Sequence, residues 1–184
     1  YPASPSTRDF ERGLLKWWTD DADKQLRANA GSLDSLRKAI GPAVEVLIGR
    51  NLKSAGVVEW DLKHKESRDT YVEMSGLLRN KTFGEELPVV WLYPKQWNGR
   101  AVIWLDDAGK SSLYTANGTV KPAVLKLVQA GVTVVGADLL FQGEFLADGK
   151  PVTQTRTVLK NPREFAGYTL GYNHSLFAQR AHDV

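Results

Sequence analysis

The 184-residue chain contains no cysteine. That excludes disulfides, zinc–thiolate sites and cysteine nucleophiles, while leaving the redox compartment open. Histidine is scarce: His64, His174 and His182 stand too far apart in sequence, with too few local partners, to suggest a metal site. No apolar stretch approaches the ~20 residues that span a bilayer, so a membrane is not an expected partner. Runs of one charge are missing too. The 24 basic and 21 acidic residues are mixed along the chain and leave a formal charge of +3. No basic stripe follows a phosphate backbone, and nucleic acid is not an expected partner. Nucleotide signatures fail on single residues. Asp107-Ala108-Gly109-Lys110-Ser111 has the end of a phosphate loop, but the required first glycine falls on Trp104, whose indole keeps the backbone from wrapping a phosphate. Gly-x-Gly-x-x-Gly does not occur. No cofactor is expected. The opening Tyr1-Pro2-Ala3-Ser4-Pro5-Ser6 lacks the basic and apolar regions of a signal peptide and has no initiator Met, so it reads as a processed or excised end.

What the chain does have is a composition of 42% hydrophobic and 24% charged residues, enough for a real core and too apolar for wholesale disorder. Its periodicity divides it. Residues 1–53 read as a helical lead-in. A helix capped by Ser6 or Thr7 carries Phe10, Leu14, Leu15, Trp17 and Trp18 at helical spacing. A second helix from Ser32 carries Leu33, Leu36, Ile40, Val44, Leu47 and Ile48, with a break or a fresh helix start expected at Gly41-Pro42.

Residues 54–184 read as an α/β domain with a mixed sheet. Val57–Leu62 and Tyr71–Leu78 are expected strands joined by a polar turn over Lys63–Asp69, and Pro88–Tyr93 is a third. Ala101–Leu105 and Val132–Ala137 are short unbroken apolar runs, the pattern of parallel strands covered on both faces. Pro122–Val128 between them reads as the crossover helix, ended by Gly131. Trp91 and Trp104 fall within strand patterns and are expected in the core. A last helix is expected from near Asn173 and still running at Val184, so the chain is expected to stop in mid-element.

Sites in α/β sheets form outside the carboxyl ends of the strands, which directs attention to the loop Asp106–Ser112. Backbone N–H groups there are placed to face a developing oxyanion; a plain surface loop whose aspartates cap the next element is the alternative. Glu144 and Asp148, with Asp106 and Asp107, supply carboxylates for a glycosidase pair, but that mechanism turns on a separation the sequence does not give. Asp148 is explained by the turn Ala147-Asp148-Gly149-Lys150. Trp97, in a loop, is the one tryptophan placed as a sugar platform.

Strand Ala101–Leu105 with its loop, then Gly131–Asp138, then Gln142-Gly143, resembles the acetylxylan esterase and cephalosporin deacetylase branch of the α/β-hydrolases. That branch has His-Gly-Tyr after the first strand and Asp-x-Arg-Gly-Gln-Gly after the second. Asp138, Gln142 and Gly143 match in register; Leu140 and Phe141 replace the Arg and Gly. In the first loop Asp106 and Asp107 stand where His and Gly would be, and Ala108 stands at the oxyanion-donor position. A broader likeness, to bacterial acetylxylan esterase-like proteins, runs through Trp91-Leu92-Tyr93-Pro94-Lys95, Asn98-Gly99, Val102–Asp106, Gly109-Lys110, Ala137–Leu140, Gln142–Phe145, Asn161–Glu164 and Tyr172-Asn173-His174. The stretch Asp9–Arg50 is similar to the segment joining tandem hydrolase units in some of them.

The resemblance implies an incomplete α/β-hydrolase fold, a three-layer αβα sandwich, cut before its nucleophile. No serine here lies in Gly-x-Ser-x-Gly; Ser54 comes nearest, with Leu52 where Gly is required. Acid and base follow the nucleophile in that fold, so His174 and His182 are poor candidates for the base, and His174 is expected to cap or pack the helix start. The implied function is part of a serine carboxylic ester hydrolase acting on acetylated polysaccharide, partnered by the remainder of its domain and secreted or periplasmic. Its site would use the Ala108 backbone N–H as oxyanion donor, with Asp106, Asp107, Gln142 and Trp97 toward substrate. The alternative is a non-catalytic hydrolase-like module that docks a partner or holds glycan, favoured by the two aspartates, since neighbouring carboxylates serve an oxyanion poorly.

Overall fold

The computed structural model describes residues 7–148 and 174–184, together with Gly167 and Gly171. The chain divides into two compact units, Tyr1–Gly49 and Arg50–Val184. In the first, α1 (Thr7–Asn29) and α2 (Leu33–Ile48) form a helical pair. Ser32 caps α2 by accepting from the Ser35 N–H at 3.1 Å, and Gly49 ends it in the left-handed conformation at φ 73°. The break expected at Gly41-Pro42 is absent, and α2 runs through Pro42. Proline's fixed φ is already helical, so the helix loses one hydrogen bond and bears the ring's contact with the preceding turn without ending. The expected cap at Ser6 lies outside the described residues.

The second unit is built on a mixed five-stranded sheet, the α/β class expected. Its strands are β1 (Val58–Ser67), β2 (Tyr71–Asn80), β3 (Glu85–Pro94), β4 (Ala101–Trp104) and β5 (Thr133–Ala137), in the spatial order β1-β2-β3-β5-β4. The first three form an antiparallel meander, β5 runs antiparallel to β3, and β4 and β5 are adjacent and parallel. β1 is longer than its apolar start suggested. Lys63–Ser67, expected in the turn, extends the strand, because the ladder continues to Ser67 opposite Val72. Its register slips between Leu62 and His64, and Gly76 opposite makes room for the bulge: a Cβ there would lie 2.2 Å from the Asp61 carbonyl oxygen.

Period-2 alternation gives the sheet two apolar faces. Val90, Leu92 and Val134 point to one, where Val124 and Val128 of α3 (Pro122–Gln129) and Leu113 pack on them, with Trp104 partly buried at the margin. Leu87, Val89, Ala137 and Leu139 form the other cluster, with Trp60, Leu78 and Val135 against it. Trp60 and Trp91 meet edge to face, 6.0 Å between centroids; Trp91, expected in the core, is only partly buried. β4 departs from expectation. It is an edge strand, and Ile103 on it is 54% exposed, so only its Val102–Trp104 face is covered. Arg50 fastens the start of the unit to β3, donating to both Glu85 carboxylate oxygens at 2.9 Å while its guanidinium lies 3.7 Å above the Phe83 ring. No described helix is long and apolar enough to cross a membrane.

Candidate functional site

The carboxyl ends of β4 and β5 release two loops, 105–112 and 138–146, on the same end of the sheet. Asp138, the first residue beyond β5, is 1% exposed and joins them. Its Oδ1 accepts the Lys110 N–H at 2.9 Å, its Oδ2 accepts the Glu144 N–H at 3.0 Å, and the Lys110 ammonium bonds the same Oδ2. Lys110 also reaches Glu144 Oε1 at 2.6 Å, so one cation spans a buried and an exposed carboxylate. Both loops approach this carboxylate through glycine. Gly109 (φ 63°) and Gly143 (φ 45°) lie so close that a Cβ would stand 2.3 Å and 2.2 Å from Asp138 atoms.

Gln142, 5% exposed, makes the second tie. Its Oε1 accepts the Leu139 N–H at 3.1 Å and its Nε2 donates to the Asp106 carbonyl at 3.2 Å. Between them Phe141 holds φ 62°, a left-handed conformation that costs a side-chain-bearing residue roughly 1–2 kcal/mol. It persists because both flanks are fixed. From the far side α4 (Leu176–Asp183) grips Leu140: Arg180 Nε donates to its carbonyl and Asp183 Oδ2 accepts its N–H, each at 2.9 Å. Burial holds the Asp183 carboxyl above the ordinary aspartate range, and the Leu140 N–H offsets this in part.

The 105–112 loop turns on Asp106. Its Oδ1 accepts the Ala108 N–H at 2.9 Å and its carbonyl accepts the Gly109 N–H at 3.0 Å. The Ala108 donor is therefore already engaged by a carboxylate, and serving an oxyanion would require releasing it. Asp107 is exposed. Ser111 and Ser112 donate to the Ala108 and Gly109 carbonyls, both at 2.7 Å, so these hydroxyls brace the turn. Beyond it Tyr114 donates to Glu73 Oε1 at 2.6 Å, and burial together with this carboxylate raises the phenol pKa.

Asp106, Asp107, Ala108 and Gln142 are thus brought together. Trp97 is not with them. It precedes β4, at the other end of the strand, which sets it roughly 13 Å or more from Asp106 at ~3.3 Å per residue. No protein-family model, curated protein or solved structure matches this chain.

Sequence reasoning named Asp138, Gly109 and Lys110 only as motif matches and passed over Arg180 and Asp183. The available signal was a pair of glycines, each beside a charged residue, following the two parallel strands. His174 and His182, separate in sequence, meet edge to face with centroids 5.2 Å apart, while Ser175 caps α4 by accepting the Ala178 N–H at 3.2 Å. Ser175, and not His174, therefore caps the helix, and the His174 ring meets His182 in its last turn. Among the described residues no group of three or more His, Asp or Glu side chains is placed to hold a metal ion.

Proposed function

We propose that the chain is the front portion of an α/β-hydrolase unit of the carbohydrate-esterase type, in which loops 105–112 and 138–146 form one wall of an acyl pocket. Phe141 carries this reading. It stands where the resembled esterases have glycine, and at φ 62° it keeps the backbone conformation that glycine takes without strain. Asp138 and Gln142, in register with the same motif, tie that loop to the oxyanion-side loop. β4 lies at the sheet edge, where the next parallel strand of such a fold would pair and bring the serine. The substrate class is an acetylated or otherwise esterified polysaccharide, and the protein works outside the cytoplasm.

The test has two arms. A fluorophosphonate probe leaves the 184-residue chain unlabelled, since it holds no nucleophile turn. The polypeptide as encoded in its source is labelled on a serine outside residues 1–184 and releases acetate from acetylated xylan. No labelling and no release from the source polypeptide would sink the esterase reading. A second reading, a non-catalytic module that docks a partner or holds glycan, draws on the Ala108 N–H bonded to Asp106 and on the exposed Asp107 beside it.

A further inference from the structure

Trp97 is half exposed, at 52%, yet it is held in place. Its indole Nε1 donates to the Arg100 carbonyl at 2.9 Å, which holds the ring while half of the residue stays open to solvent. Tyr93 flanks it, with ring centroids 6.0 Å apart and planes tilted by 39°, so the two rings form a shallow angle. The loop beneath is fastened at three points. The Asn98 N–H donates to the Gly131 carbonyl at 2.9 Å, its side-chain amide donates to the Ala130 carbonyl at 2.8 Å, and its Oδ1 accepts the Arg100 N–H at 3.0 Å. Its sequence neighbours Lys95, Gln96, Asn98 and Arg100 are all exposed.

A loop tryptophan with a free polar handle would normally swing. One whose N–H is satisfied by its own loop has lost that freedom before any ligand arrives, so binding does not bear the ordering cost. The rim argues for the class of ligand. A protein-docking site needs a contiguous apolar centre with several anchors, whereas here a single indole stands among amides and charges. Its electron-rich face favours weakly positive C–H groups. The ligand that offers an apolar C–H face edged by hydroxyls is a pyranose ring.

We propose that Trp97, with Tyr93 beside it, is a carbohydrate platform that holds a β-linked pyranose chain at the end of the sheet opposite the Asp106 and Gln142 loops. It is a holding site rather than part of an acyl pocket, and it does not depend on the esterase reading. The 184-residue chain should be retarded in affinity electrophoresis through hydroxyethylcellulose or arabinoxylan, and cellohexaose or xylohexaose should shift its tryptophan fluorescence. Trp97→Ala should weaken oligosaccharide binding by about tenfold or more, while Trp97→Phe, keeping a flat ring, stays within a few-fold of the parent. Far-UV circular dichroism of both variants should match the parent, with a modest fall in melting temperature for Trp97→Ala, which loses a half-buried ring and its Nε1 hydrogen bond. No retardation on either polymer, or Trp97→Ala binding as the parent does, overturns the platform. Failure here leaves the esterase reading standing, just as an unlabelled source polypeptide would leave the platform standing.

Discussion

Replacing Asp138 by Asn tests whether one buried carboxylate holds the two loops together. The substitution keeps the shape and removes one charge and one acceptor. Asp138 now accepts from two backbone N–H groups and an ammonium. In the Asp138→Asn variant the amide oxygen satisfies one side, and the NH2 group faces a donor on the other. Leaving a buried donor unsatisfied costs about 1–3 kcal/mol. Breaking a buried ion pair from one side costs about 3–5 kcal/mol, reduced here because Lys110 keeps Glu144 at 2.6 Å. The expected loss is about 3 kcal/mol, a fall in Tm of roughly 6–12 °C for a chain of this size. Thermal and urea unfolding followed by circular dichroism would measure it. A double variant with Lys110→Met should lose less than the sum of the two single variants, by about 1–3 kcal/mol for groups in direct contact. Asp138→Asn within about 1 kcal/mol of the parent, or strict additivity with Lys110→Met, would refute the hub.

Two further outcomes follow from the same region and its neighbour. Phe141→Gly should match the parent within about 1 kcal/mol, relief of left-handed strain offsetting the half-buried ring, whereas Phe141→Val should be less stable than Phe141→Gly by about 2 kcal/mol, both read from urea midpoints. The bidentate hydrogen bond from Arg50 lowers the Glu85 carboxyl below its ordinary range; its stabilising contribution is therefore complete above the unfolded-state value of about 4.3 and is lost as pH falls through the folded value. Glu85→Gln should accordingly flatten the stability–pH curve below about pH 4.3, and an unchanged acid limb would count against the assignment.

How much of this the sequence carried depended on whether the information was local. Val89 to Leu92 and Val134 to Ala137 announce themselves because an unbroken apolar run records a strand covered on both faces. The crossover helix has Pro122 at its first turn and Gly131 beyond its end. β4 misled because an apolar run records that a strand is apolar, without recording whether a neighbour follows it on the outer side. Pro42 misled in the opposite direction: its penalty is real but finite, and six residues of helix follow it, Ala43–Ile48. The position of Trp97 was legible in principle, since residues flanking one strand lie at its opposite ends. The site's ties were not, because Asp138 with Lys110 and Leu140 with Asp183 are contacts between distant segments.

The two functional readings diverge on one hydrogen bond. An oxyanion donor must be aimed before the charge develops, and the rigidity of these loops supplies that: Asp138, Gln142 and the grip of α4 on Leu140 leave the backbone little freedom. The same rigidity fixes Asp106 with its Oδ1 on the Ala108 N–H. An ester carbonyl seeking that donor competes with a full carboxylate charge, and a charge-assisted bond is roughly twice as strong as a neutral one. A working pocket therefore requires Asp106 to turn away, and its exposure leaves it solvent to turn into. If it does not turn, the loop pair is a scaffold whose oxyanion donor is closed by its own side chain.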